Sequence, residues 1–405
     1  MDEFGAAQVS MPPVLPCIPE ALAGNARTFP GTRSMIGWLV LLNWIQAEAF
    51  LTKEKRTFLP ATGNLALALL LSMMLLSGCV ISPRRTPGGG GSGGGGGGTA
   101  TGGKLYVTSG NSILRFDNAL NATGNIAPGG TINGTSTTLS SPHALQIDTG
   151  TDRLYVANQG AGSVLVFSAA STVTGNIAPS ATLVGANTGL SSPVGIALDT
   201  TRNILYVADG TTVFVFANVS SLSGTTNTGP AQSFITGFTI TGIFVDAANN
   251  ILYAADATDN TVAIYQSANA QSGVGFASGT IVGPDTGLSR PTGAALDSAG
   301  RLLISNPGVP SISAYPNPTS ASGDVLPAAV IKGNSTGLSS PAQMTATNAI
   351  TNGALYVADS GGNSVLIFSP ISNVTGTVNL APSRQFSGAT TTLSSPAGIA
   401  LDSTR

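Results

Sequence analysis

From residue 104 onward the apolar positions come in short runs rich in Val, Ile, Leu, Tyr and Phe, each bounded by Gly, Asn, Asp or Pro. Runs of this kind, bracketed by turn formers, predict β-strands, and the gaps between them leave no room for helices. The runs recur as a set. The first is Ser191-Ser192-Pro193-Val194-Gly195-Ile196-Ala197-Leu198-Asp199. It returns from Ser395 through Pro396 to Asp402, more weakly from Pro142, Pro291 and Pro341, and in degenerate form around Gly242. The second is Leu205-Tyr206-Val207-Ala208-Asp209, with copies at Leu105-Tyr106-Val107, Leu154-Tyr155-Val156-Ala157, Leu252-Tyr253, Leu302-Leu303 and Leu355-Tyr356-Val357-Ala358-Asp359. A third run ends in an aromatic residue, as in Val164 to Phe167, Val213 to Phe216, Val262 to Tyr265 and Val365 to Phe368. A fourth, shorter run ends in glycine, as in Thr182 to Gly185, Thr280 to Gly283 and Val330 to Gly333.

The aligned second-run positions 106, 155, 206, 253, 303 and 356 step by 47 to 53 residues. Four strands per unit of about 50 residues is the arithmetic of a β-propeller blade. The two ends complement each other. The terminal Pro396 to Asp402 run lacks partners of its own, and Lys104 to Phe116 lacks a first run, so joining them completes a sixth blade. The expectation for 104–405 is an all-β, six-bladed propeller of four-stranded blades, one closed by N- and C-terminal strands. Such closure leaves no open blade edge, and a monomer is expected. The Pro-x-Gly-Ile-Ala-Leu-Asp and Leu-Tyr-Val-Ala-Asp strings resemble those of NHL-repeat propellers over roughly 300 residues. WD-repeat propellers fit less well, because no Trp-Asp pair closes a third run and both tryptophans precede residue 50.

Upstream the pattern changes. Lys53, Lys55 and Arg56 precede an apolar run from Leu65 to Leu76, broken only by Ser72 and followed by Leu76-Ser77-Gly78-Cys79. That core is too short to span a bilayer and suits an export signal. Leu-Ser-Gly-Cys resembles the lipobox of bacterial lipoproteins, and the resemblance implies cleavage before Cys79 and lipidation of its thiol. Residues 51–79 are therefore expected to be a lipoprotein signal, holding the protein to a membrane of the cell envelope and facing the periplasm or exterior. Residues 1–50, with prolines at 12, 13, 16, 19 and 30 and no sustained period, read as a mis-assigned or disordered extension. Residues 80–103, glycine from 88 to 98 except for Ser92, read as a flexible tether. A coil of that length spans about 25–30 Å.

Composition narrows the function classes. Only 8% of positions are charged, against about 25% in an ordinary soluble protein. With 16 basic and 18 acidic residues, there is no electrostatic footprint for nucleic acid or an anionic membrane surface. Two cysteines and one histidine exclude a disulfide scaffold and a His/Cys metal cluster. Residues 104–405 contain no glutamate, 13 aspartates and 9 Lys/Arg.

Candidate chemistry lies where the repeat is broken. His143 stands where the other copies have Val194, Thr241, Thr292, Ala342 and Ala397, at the expected channel mouth. An imidazole there can serve as acid, base or ligand, or be a plain surface group. Arg290 replaces Ser192 and can clamp a carboxylate or phosphate, or simply steady its loop. Gln146 and Gln343 replace small residues in first runs and can turn polar groups into the channel. Asp209, Asp256 and Asp359, with Asn158 and Asn306 in equivalent places, recur once per repeat. A ring of such oxygens can hold Ca²⁺. Recurrence is equally what a turn-capping role predicts, and the same holds for Asp148, Asp199, Asp246, Asp297 and Asp402. Gly333-Asn334-Ser335-Thr336-Gly337 and Gly90-Gly91-Ser92-Gly93-Gly94 match G-x-S-x-G without a strand-to-helix elbow. No cofactor is expected. Three readings follow: a binding module for a protein, polysaccharide or small molecule at the channel mouth; a propeller enzyme of lactonase or lyase type built on His143, Arg290 or a metal; a structural envelope protein.

Overall fold

Tyrosine, valine and isoleucine fill the repeated runs because each strand is covered on both faces by its neighbours. In the computed structural model, which describes residues 102–347 and 353–405, those runs form six sheets arranged as the blades of a ring. The readings made above for residues 1–101 lie outside the described residues.

Blade 1 joins the two ends of the domain. Its innermost strand, Ile399–Asp402, pairs antiparallel with Lys104–Ser109, bringing Lys104 opposite Asp402 and Val107 opposite Ile399. Ser112–Asp117 and Gly130–Ile132 complete it. The other five blades have innermost strands Pro142–Asp148, Pro193–Asp199, Gly242–Asp246, Ala294–Leu296 and Pro341–Ala346. The second strands carry the Leu-Tyr-Val-Ala string and are almost wholly buried. Six apolar clusters sit between consecutive blades. Between blades 6 and 1, Phe386 meets Phe116 with ring centroids 5.1 Å apart. The ring is thus closed by the same apolar packing that joins every other pair of blades.

Each blade has the four strands expected of it. A fifth segment lies parallel to each outer strand, and the following blade supplies it. Gly224–Thr226 of blade 3 pairs with Ala181–Leu183 of blade 2. Gly273–Val274 and Gly376–Val378 do the same for blades 3 and 5. Single bridges, Ile132 to Gly175, Ile281 to Gly323 and Phe386 to Gly124, serve blades 1, 4 and 6. Each outer edge is therefore partly covered by its neighbour, which blunts a pairing hazard and links the blades at the rim.

A second set of links runs between blades. One long donor side chain per blade reaches carbonyls in the loop before the next blade's fourth strand. Arg115 donates to Val173, Arg153 to Ser220 and Leu222, Gln232 to Asn269 and Gln271, and Gln266 to Thr319. Arg301 donates to Ile371 and Val374, and Arg384 to Ala119 and Ala122. With Arg202, which donates to Ala247 of blade 4, five of the nine domain cations are committed to carbonyls of the next blade.

Candidate functional site

In five blades the fourth strand is followed by a glycine and a single 3-10 turn, such as Ala186–Thr188 after Gly185. The turn's last threonine folds its hydroxyl back onto the glycine carbonyl and accepts the N–H of a following leucine, as Thr188 does with Gly185 and Leu190. The Gly333–Gly337 match is one of these turns. The turn delivers the chain to a Ser-Ser-Pro or Ser-Arg-Pro lead-in, which descends into the innermost strand. These lead-ins and the turns between second and third strands define the upper face.

The recurring Asp and Asn residues fasten the lead-ins. Asp209 accepts the N–H groups of Ser191 and Ser192, the latter at 2.8 Å. Asp359 accepts those of Ser339 and Ser340 at 3.0 and 2.6 Å. Asn158 and Asn306 take the N–H of Ser140 and Ser289. Asp256 instead caps its own turn at Thr258, 2.8 Å away, because blade 4 lacks the Ser-Pro lead-in. Burial raises the Asp359 pKa, against the N–H bonds it accepts. The three carboxylates, in blades 3, 4 and 6, therefore face backbone donors, as the amides of Asn158 and Asn306 do in blades 2 and 5. Among the described residues no three His, Cys, Asp or Glu side chains stand close enough together to hold a metal ion.

Two residues above the rest converge on the channel. His143 and Arg290 line a cavity of about 290 Å³ at the upper mouth, with Thr241, Thr292, Ser340 and Ser360. The His143 Nδ1 lies 2.6 Å from the Val194 carbonyl of the next blade. A carbonyl only accepts, so Nδ1 carries the proton and Nε2 keeps a lone pair. Burial pulls the His143 pKa down, opposed by that bond, so the ring is neutral at neutral pH. Arg290 sits in the left-handed region at φ 54°, held by its N–H on Asn260 at 2.6 Å. Its guanidinium is exposed and, among the described residues, only it and Lys332 of the nine domain cations have neither an acid nor a carbonyl partner. No carboxylate lines this cavity.

Gln343 belongs to a different structure. Its place is taken in other blades by Gly195, Gly242, Gly293, Gly398 and Ala144, where adjoining inner strands approach too closely for a larger side chain. A Cβ at Gly398 would stand 2.6 Å from the His143 carbonyl. Gln343 instead extends past blade 1 to blade 2. Its Oε1 accepts from Ile399 N at 2.9 Å and Leu145 N at 3.1 Å, while Nε2 donates to Leu145 O at 3.0 Å. Both ends of the amide are occupied by backbone, so Gln343 clasps three blades where the ring is closed without a covalent link.

Gln146 lies on the far side of this clasp. It lines a second cavity, of about 750 Å³, at the lower end of the channel, together with Phe244, Thr149 and Thr345. Sequence reasoning singled out neither Phe244 nor Thr345. The available signal was the fifth position of the first run, which reads Gln146, Ala197, Phe244, Ala295, Thr345 and Ala400 around the ring.

No protein-family model matches the chain, and no curated protein matches it. Solved structures do. A chain of a nidogen/laminin complex superimposes with TM-score 0.52 at 16% identity, covering 74% of this chain and 98% of its own. A functionally unknown protein from Desulfotomaculum acetoxidans gives TM-score 0.46 at 13% identity, covering 71% and 80%. At such identities the first likeness speaks for the propeller fold alone. The domain is a six-bladed β-propeller.

Proposed function

We propose that this protein is a lipid-anchored extracytoplasmic binding module of NHL-like type, which takes the anionic group of a ligand at its upper channel mouth. The observation that carries the reading is the cavity shared by His143 and Arg290. A guanidinium with no acid or carbonyl partner among the described residues, beside hydroxyls and free of any lining carboxylate, is a fork for carboxylate or phosphate. The neutral imidazole adds a lone pair, so the pocket can also accept a hydrogen bond from the ligand. An acid–base mechanism would need a second titratable group within reach of His143, and the residues lining the mouth supply none, which favours binding over lactonase or lyase chemistry. The anchor reading rests on the order of positive residues, short apolar core and Leu76-Ser77-Gly78-Cys79.

Titration calorimetry with citrate and with inorganic phosphate tests the mouth. Binding of one of these, weakened at least about tenfold by Arg290→Gln as loss of a charge-assisted hydrogen bond requires, supports the reading. Equal affinities for wild type and Arg290→Gln would sink it. For the anchor, Cys79→Ser should move the protein from the membrane to the soluble fraction, and continued sedimentation with membranes would refute lipidation.

A further inference from the structure

Two cavities open along the innermost strands, an upper one lined by Gln343 and a lower one lined by the residues that follow it, Met344 and Thr345. The upper chamber is the mouth described above. The lower chamber, about 750 Å³, falls within the range of small-ligand sites, roughly 300–1,000 Å³, and its lining is of another character.

Its charges are all committed. Asp246 is held by Ala248 N at 3.1 Å and by the Asn249 amide at 2.7 Å. Asp297 is held by Ala299 N at 2.9 Å and by Arg301 at 2.7 Å. Arg301 in turn is saturated by two carbonyls of blade 6. A charged ligand entering here would find no counter-charge, and an uncompensated charge in such a chamber is costly. What remains free is neutral. The Thr149 and Thr345 hydroxyls make no hydrogen bond within the described structure, and Gln146 has only a 3.4 Å approach to Ile196 O. Beside them stand apolar surfaces: Phe244, Met344, Leu296, Ile399 and Leu401. Phe244 stacks on Tyr253 at 6.3 Å and 29°, which steadies its ring.

The repeat makes this lining conspicuous. At the position of Gln146, Phe244 and Thr345, the intervening blades all have alanine (Ala197, Ala295 and Ala400). An amide, an aromatic ring and a hydroxyl thus stand on alternate blades at one level of the ring. Amide and hydroxyl groups beside a fixed aromatic ring match a molecule with polar edges and apolar faces. We propose that the lower chamber is a binding site for a neutral hydroxylated ring, a sugar or cyclic polyol, independent of the anion site above Gln343.

Saturation-transfer NMR and titration calorimetry on the full chain, with glucose, N-acetylglucosamine and myo-inositol as probes and glucuronate as the charged comparison, test this. The expected result is saturable binding of at least one neutral probe, with glucuronate at least about tenfold weaker. Gln146→Ala with Thr345→Val should weaken that binding at least about tenfold, and the exposed change Lys332→Ala should leave it as it was. Phe244→Leu, which retains apolar volume, gives a second reading should the double variant not fold. Absence of binding by all three neutral probes, or binding untouched by both the double variant and Phe244→Leu, overturns the proposal.

Discussion

Asp359 offers a test of how the lead-in loops are held. Its carboxylate is fully buried and accepts Ser339 N and Ser340 N. Blades 2 and 5 do the same work with amides: Asn158 accepts Ser140 N and donates to Ser163 Oγ at 3.1 Å, and Asn306 accepts Ser289 N and donates to Ser313 Oγ at 3.2 Å. In blade 6 the residue opposite Asp359 is Ser364, so an asparagine would meet the same acceptor. Asp359→Asn therefore keeps the acceptor, gains a donor and removes a buried charge. Asp359→Ala removes the acceptor and leaves the Ser339, Ser340 and Gly362 N–H groups seeking water, a cost of about 2–3 kcal/mol. With an unfolding entropy of about 2.1 cal/mol/K per residue over about 300 residues, 1 kcal/mol moves Tm by about 1.6 °C. The alanine variant should then melt about 3–5 °C lower, and the asparagine variant level with wild type or up to about 2 °C higher, in calorimetric scans at pH 7. The pH dependence has a definite sign. Burial raises the folded pKa of Asp359 above the ordinary carboxyl value of 3.8, so the folded state binds the proton more tightly. The ionised group costs stability at neutral pH, and that cost is relieved as pH falls through the folded pKa toward 3.8. Any advantage of Asp359→Asn at pH 7 should shrink by pH 4. An asparagine variant as unstable as the alanine variant at pH 7 would refute the reasoning, since the charge itself would then be needed.

Other substitutions probe the links between blades. Arg301→Met leaves the buried Asp297 carboxylate without its cation and two blade 6 carbonyls without a donor. It should cost about 3–5 kcal/mol, with partial recovery on adding Asp297→Asn; a Tm change under about 1 °C would contradict this. Gln343→Ala unties Leu145 and Ile399, and hydrogen exchange of those two amides should accelerate about tenfold or more while the outer strands stay protected; unchanged exchange would show that the clasp holds nothing. Gly242→Val drives a Cβ into the Thr292 carbonyl of blade 5, and should lower Tm more than the same change at Gly229, where a Cβ would stand 3.3 Å from its nearest neighbour, the Asn187 carbonyl oxygen.

Much of the site was visible in the sequence as departures from its own repeat. His143, Arg290 and Gln343 stood out because five other copies showed what normally occupies those positions. Their surroundings were not visible. Gln343 read as a polar group turned into the channel, yet its amide is consumed by backbone from residues 198 and 56 positions away. The recurring aspartates allowed a cation ring or a set of turn caps, and their partners became plain only when the lead-in N–H groups were seen to face them.

By itself the sequence determined the strands, their number per repeat and the pairing of the two chain ends. The first two follow from interactions within about 50 residues, where apolar alternation and turn-forming Gly, Asn and Pro leave little choice; the third follows from what each end of the chain lacks. Only the tertiary structure decided how the blades hold one another. The cations that bracket the next blade come from a third strand (Arg115), from a second strand (Arg153), from the residue before one (Arg301) and from a fourth strand (Arg384). Arg153 and Arg301 share the position before the second-run leucine, but the four as a set come from different repeat positions, and what unites them is reach to carbonyls of the next blade. The parallel rim strands, the Gln343 clasp and the two cavities along the innermost strands are of the same kind. They arise where separate repeats meet, and a pattern read along one repeat carries no record of its neighbour.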